Sequence, residues 1–199
     1  MRLFVAIEIE SAIREGIARF AAALEESAPE ARWARQEGLH VTLKFIGERE
    51  GMDEIHRALA QIRVRRPIKL NFCGLGFFPS ERRPRVFWVG IEADESLQSL
   101  AAEIDDALAP LGIERERRPY TPHLTLARGA EPRKMNAHRE KHGIAEPQPT
   151  HAFARLKQKL ARFQPPSFGT MSAQEFFLYQ STLTRGRAEY TKLAAFGRE

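Results

Sequence analysis

The sequence predicts an α/β chain of the α+β type: two pseudo-symmetric lobes, each a mostly antiparallel sheet covered by helices. Three observations carry this. Short apolar runs of strand length alternate with segments of helical periodicity. Several of the strand-like runs alternate apolar and polar residues, as a sheet with one buried and one exposed face requires. The succession strand, helix, strand then occurs twice, about 84 residues apart.

The first unit begins with Leu3-Phe4-Val5-Ala6-Ile7, ended by Glu8 and Glu10 and followed by Ser11, a candidate helix N-cap. Ile13, Ile17, Phe20 and Leu24 recur at helical spacing and predict a helix ending before Pro29. The next strand is Gly38 to Gly47, with polar His40, Thr42 and Lys44 alternating against Val41, Leu43 and Phe45. The second unit repeats each piece: Val89-Gly90-Ile91-Glu92 aligns with Val5-Ala6-Ile7-Glu8, and Leu97, Ala101, Ile104 and Leu108 fall 84 residues after the first helix's apolar face. His123-Leu124-Thr125-Leu126-Ala127 then repeats His40-Val41-Thr42-Leu43-Lys44 at an offset of 83.

Each unit continues into a further helix and strand. Asp53 is a candidate cap for a helix carrying Ile55, Leu59 and Ile62 before a strand from Ile68. Phe153, Leu156, Leu160 and Phe163 mark a second helical face before a strand over Glu175–Tyr179. The expected organisation is a single bilobal domain over 1–199, with units at about 1–47 and 85–128 and a basic insertion at about 130–172, whose residues 130–150 read as loop. Strand order is not readable from periodicity.

Composition excludes several classes. With 199 residues, 43% hydrophobic and 29% charged, the chain is neither disordered nor fibrous. No run approaches the ~18–20 apolar residues of a spanning helix, and the opening run meets acid too early for a signal peptide, so a cytoplasmic location is expected. The single cysteine, Cys73, excludes an internal disulfide and a thiolate metal cluster and reads as a small buried side chain. A net charge of +5 favours a polyanionic partner. The excess lies in patches: Arg63, Arg65, Arg66 and Lys69; Arg82, Arg83 and Arg85; Arg115, Arg117 and Arg118; Arg155, Lys157, Lys159 and Arg162.

Side chains two apart on a strand share a face, so His40 projects with Thr42, and His123 with Thr125. A pseudo-twofold relation lets the two pairs face one groove. Imidazole titrates near neutrality, so one copy can take a proton while the other gives one. Displacement at phosphorus wants that pair on opposite sides of an in-line centre, with hydroxyls to hold the nonbridging oxygens. Such chemistry needs no metal or cofactor.

His40-Val41-Thr42-Leu43-Lys44-Phe45-Ile46-Gly47 and Pro122-His123-Leu124-Thr125-Leu126-Ala127-Arg128 resemble the two signature motifs of the 2H phosphoesterases, specifically the bacterial and archaeal RNA 2′,3′-cyclic phosphodiesterases, also called 2′-5′ RNA ligases. Further likeness lies in Arg2 to Ile7, in Phe78-Pro79 with Pro84 to Trp88, and in Leu178 to Ser181 with Tyr190 beyond. The resemblance implies a bilobal fold with a central cleft and metal-independent hydrolysis of an RNA terminal 2′,3′-cyclic phosphate to a 2′-phosphomonoester, tRNA fragments being one source of such ends. It makes His40 the acid on O3′ and His123 the base on water, with Thr42 and Thr125 on the phosphate. Ligation is the same chemistry with a ribose hydroxyl in place of water. The expected partner is RNA, with no cofactor, no membrane partner and a monomeric chain. The same centre acting on small cyclic nucleotides or ADP-ribose cyclic phosphates, and a noncatalytic RNA-binding module, are the competing readings.

Secondary candidates for substrate contact are Lys44, Arg128, Arg85, Tyr120 and Phe78. Strict alternation puts Lys44 on the face of His40 and sends Arg128 opposite His123 unless a bulge re-aims it. His138 and His142 have helical metal-ligand spacing but lack the order of a known zinc motif, and the expected metal content is none. His56 and His151 have no counterpart in the repeat.

Overall fold

The computed structural model describes residues 1–129, 151–184 and 187–198, apart from the side chains of His151 and Arg187. The duplicated plan is present. In the first unit β1 (Arg2–Glu8) leads to α1 (Ser11–Ala22), a two-residue strand β2 (Arg32–Trp33) and β3 (His40–Glu48). After α2 (Met52–Leu59) and β4 (Ile68–Phe78), the second unit runs β5 (Val86–Ala93), α3 (Glu95–Leu108) and β6 (His123–Arg128). The chain ends in α4 (Ala154–Leu160), β7 (Ser167–Ala173), β8 (Phe176–Thr184) and β9 (Arg187–Phe196).

The strands form two wholly antiparallel sheets, ordered β3-β1-β8-β9 and β2-β6-β5-β4-β7. Each unit sends its last strand into the other sheet: β4 follows the first unit but pairs with β5 of the second, and β8 follows the second but pairs with β1. Odd residues of β1 (Leu3, Val5, Ile7) join Val41 and Leu43 of β3, Val89 of β5, Leu124 of β6 and the buried stripes of α1 and α3 in one contiguous core. Even residues Phe4 and Ala6 lie on the other face with Phe177 and Tyr179 in a small separate cluster. No described helix is long and apolar enough to cross a membrane.

Several local readings change. Ser11 is the first helical residue of α1; the cap is Glu10, with no side-chain cap bond. The cap of α2 is Gly51, whose φ of 79° places it in the left-handed region, and Asp53 stands in the first turn. Of the segment read as insertion, residues 130–150, with His138 and His142, lie outside the described residues. From 151 onward the chain is integral to the fold: Leu156 and Phe153 are buried, and β7 pairs with β4 from Ile68↔Ala173 to Cys73↔Ser167. Phe163 stands exposed, beyond the end of α4. Lys157 and Lys159, read as a basic patch, donate to the carbonyls of Glu81 (2.7 Å) and Ala23 (2.8 Å) and so tie α4 to the β4–β5 loop and to the end of α1. Cys73 is only partly buried because the ladder shifts register at Phe72/Cys73.

β3 and β6, the two motif strands, come against each other between the sheets. Each carries the same irregularity. Val5 pairs with Lys44 and Ala6 with Thr42, leaving Leu43 as an extra residue; Phe87 pairs with Ala127 and Trp88 with Thr125, leaving Leu126 extra. A bulge reverses alternation beyond it. Lys44 therefore turns inward, where its ammonium bonds Asp105 of α3 and donates to the Glu114 carbonyl at 2.6 Å. The side chains of Lys44 and Asp105 are 7% and 15% exposed, so removing one partner strands a buried charge. Lys44→Ala is expected to lower the unfolding free energy by about 3–5 kcal/mol, measured by urea denaturation, while Lys192→Ala at an exposed pair changes it by about 1 kcal/mol or less.

Candidate active site

The site is built on the ends of β3 and β6 that begin with histidine. Before its bulge each strand presents His and Thr on the face away from the core, and all four side chains, of His40, Thr42, His123 and Thr125, are partly buried. Beyond the bulge the next outward residues are Phe45 and Arg128, in equivalent positions.

His40 stands in a box of rings. Phe4 lies at 4.7 Å between centroids, Tyr190 meets it edge-on at 5.0 Å and Tyr179 lies at 6.1 Å. Burial among these rings holds its pKa down to about 4, against the opposing pull of a hydrogen bond to the Gly38 carbonyl; the positive charge of Arg128 lowers it further. Gly38 has a packing role too, since a Cβ there would come within 3.1 Å of the Tyr190 ring.

His123 packs edge-on to Phe78 at 4.8 Å, with Trp88 at 6.4 Å. Its Nδ1 lies 2.8 Å from the Thr121 carbonyl. A carbonyl only accepts, so Nδ1 carries the hydrogen and Nε2 keeps the free lone pair. Burial lowers this pKa as well, opposed by the Thr121 bond and assisted by Arg128. Burial thus disfavours the charged form of both imidazoles, and both feel one guanidinium.

The structure corrects the secondary candidates. Lys44 is not in the cleft, because the bulge at Leu43 has turned it into the interior. Arg128, which alternation alone sends to the opposite face, is re-aimed towards the histidines by the bulge at Leu126. The Tyr120 hydroxyl is engaged within the protein: it donates to the Thr42 carbonyl at 2.9 Å, and burial pushes the phenol far above its usual range, so it remains a donor. Phe78 is a wall of the His123 site, its ring tilted against that of Trp88 at 5.1 Å between centroids. Arg85 sits ahead of β5 with its side chain exposed and its backbone bonded to Phe78 and Gly129, and no contact among the described residues brings it to the histidines. His56 lies elsewhere, against Phe196.

Sequence reasoning missed the cavity beside His40. It has a volume of about 180 Å³ and is lined by Glu8, Arg14, Glu37, Tyr179, Tyr190 and Lys192 together with Leu39 and His40. Lys192 bridges Glu8 at 2.6 Å and lies 4.0 Å over the Phe177 ring. Arg14 Nε is a buried donor with no protein partner among the described residues. Burial and the Glu8 carboxylate push the Tyr179 phenol up to about 12, so it too stays a donor. The only sequence signal was the pair Tyr179 and Tyr190 near the C-terminus. No group of three or more His, Cys, Asp or Glu able to hold a metal occurs among the described residues.

Two antiparallel sheets from a duplicated unit, each contributing one His-x-Thr strand, with those two strands set against each other, define the class of 2H phosphoesterases. The comparisons agree. Residues 9–167 match the family model of the 2′-5′ RNA ligase superfamily. The "RNA 2′,3′-cyclic phosphodiesterase" of Methanocaldococcus jannaschii is 33% identical over 92% of this chain and 93% of its own length. One of the same name from Geobacillus stearothermophilus is 33% identical over 63% of this chain, which covers only 41% of that longer relative. The crystal structure of Escherichia coli LigT complexed with 3′-AMP has a TM-score of 0.72 and 28% identity, covering 99% of this chain and 97% of that one. This chain belongs to the 2′-5′ RNA ligase superfamily.

The depressed His40 pKa has a sign for stability. The unfolded chain, with its histidine near 6.5, binds the proton before the folded chain does, so stability is full above about pH 6.5 and falls as pH drops towards 4. The loss from His40 amounts to about 3 kcal/mol at 1.36 kcal/mol per unit. Denaturation at pH 7 and pH 4.5 is expected to show a smaller acid loss in His40→Gln than in the parent chain.

Proposed function

We propose that this chain hydrolyses RNA ends bearing a 2′,3′-cyclic phosphate to 2′-phosphomonoesters by two-histidine acid/base catalysis. The observation that carries the reading is the pair of equivalently bulged strands, which come against each other with a His-x-Thr motif on each and with Arg128 acting on both histidines. The relatives named RNA 2′,3′-cyclic phosphodiesterase supply the substrate class.

In the proposed step the phosphate lies between the motifs. Thr42 and Thr125 hydroxyls donate to its nonbridging oxygens, and Arg128 balances their charge. Nε2 of His123 takes a proton from water as the water oxygen bonds phosphorus; the P–O3′ bond breaks in line, and O3′ leaves with a proton from His40. His40 must be charged for this. A bound phosphate anion offsets Arg128 and raises the imidazole pKa, so the substrate helps to load its own acid. The side on which the nucleoside must lie is consistent with these roles. The departing oxygen stays on the ribose, so the nucleoside must lie on the acid's side, and the ring-walled cavity opens beside His40. The Tyr179 hydroxyl offers a donor to a base there.

His40→Ala and His123→Ala are each expected to lower kcat/KM by about 10²- to 10⁴-fold, and Thr42→Ala or Thr125→Ala by less, on a short RNA with a 2′,3′-cyclic end assayed in excess EDTA. The product should carry a 2′-monophosphate. A 3′-monophosphate would reverse the acid and base, and unchanged turnover in both histidine variants would sink the reading.

A further inference from the structure

The first sheet shows its outer face to the cleft in a fixed order. Paired residues of β1 and β3 run from Glu8/His40 through Ala6/Thr42 and Phe4/Phe45 to Arg2/Glu48. A cavity lies at each end: the one beside His40, and a second of about 180 Å³ lined by Met1, Arg2, Glu48, Ser181 and Leu183. Between them stands Phe45. It is 65% exposed, whereas Phe4, Phe177 and Tyr179 on the same face are buried. Its ring lies 6.3 Å from that of Phe4. A single exposed apolar side chain is ordinary. This one is turned to the reactive side by the bulge that hides Lys44, at the position where the other strand presents Arg128.

Covalent geometry says what would pass over it. In a 2′,3′-cyclic nucleotide the phosphate spans C2′ and C3′, which are flanked by C1′ bearing the base and C4′ bearing the 5′ carbon. The base and the preceding chain therefore leave the ribose on opposite sides of the phosphate. With the phosphate at Thr42 and the terminal base in the cavity beside His40, the preceding nucleotide runs towards Phe45. Thr42 and Phe45 pair with Ala6 and Phe4, two residues and about 7 Å apart, the scale of one sugar–phosphate step.

We propose that Phe45 is the stacking platform for the base next to the cyclised terminal nucleotide, with the strand continuing past Arg2 towards the cavity of Met1 and Leu183. The ligand is a single-stranded RNA of two or more nucleotides, held by a sequence-tolerant base–aromatic contact. The inference rests on the cyclic-phosphodiesterase reading and deepens it.

The test compares kcat/KM for a cyclic mononucleotide with that for di- and trinucleotides of the same cyclic end, in the parent chain, Phe45→Ala and Phe45→Trp. The parent should prefer the longer substrates. Phe45→Ala should shrink the dinucleotide-to-mononucleotide ratio by about 5- to 150-fold, and Phe45→Trp should retain it. An unchanged ratio in Phe45→Ala, or no dinucleotide preference in the parent, overturns the platform while leaving the hydrolytic reading intact. If the parent turns over none of these substrates, the hydrolytic reading falls and binding decides the platform. A labelled single-stranded oligoribonucleotide should then bind Phe45→Ala more weakly by the same factor and Phe45→Trp as it binds the parent, and equal affinities would overturn it.

Discussion

The ammonium of Lys44 is buried, and everything that satisfies it comes from the other half of the chain. Asp105 lies on α3 and the Glu114 carbonyl lies in the segment that follows. Asp105 also accepts from the Glu116 amide, at 3.2–3.3 Å, so one carboxylate anchors both the strand and that segment. A buried cation left unpaired is costly. The register of β3 and the position of the second half are thus linked. The Tyr120 hydroxyl makes a second link of the same sense, since it reaches the Thr42 carbonyl from three residues before His123. These polar ties run alongside the shared apolar core and, unlike it, are directional. They relate the residues of one His-x-Thr motif to those of the other.

The same bulge explains why the repeat could be read so well and the site only in part. Apolar alternation placed β1, β3, β5, β6 and the faces of α1 and α3, and the near-constant offset showed that they were two copies. Alternation also identified His40 with Thr42 and His123 with Thr125, because all four precede the bulges. It misplaced Lys44 and sent Arg128 to the wrong face because the inserted residues, Leu43 and Leu126, are apolar like their neighbours. A bulge made of core-type residues leaves no mark on a hydropathy pattern. The missed strands have a different cause: β7 and β9 are sheet edges, largely exposed and free of a strong period. The exchange of β4 and β8 between sheets is a matter of strand order, which no local pattern encodes. The cavity beside His40 gathers β1, α1, the turn before β3, β8 and β9, so only the folded chain brings its lining together.

Duplication alone would produce a symmetric pair of histidines, whereas breaking a cyclic phosphate needs one group that gives a proton and one that takes it. The asymmetry here lies in what surrounds equivalent positions. Lys44 corresponds to Ala127, so only the first strand carries a buried cation at that point. Phe45 corresponds to Arg128, so one strand presents a ring and the other a charge. His40 is boxed by Phe4, Tyr179 and Tyr190 beside an open cavity, while His123 is backed by Phe78 and Trp88 and held by Thr121 with its Nε2 free. Phosphate charge reaching the cleft acts on both imidazoles, and burial is the largest cause of both low pKa values, but His40 is held further down, to about 4, so it has more to gain from a nearby anion. The deeper histidine is therefore the one whose protonation depends most on substrate. In the proposed reaction that makes the acid conditional on a phosphate being in place, while the base keeps its free lone pair before substrate arrives.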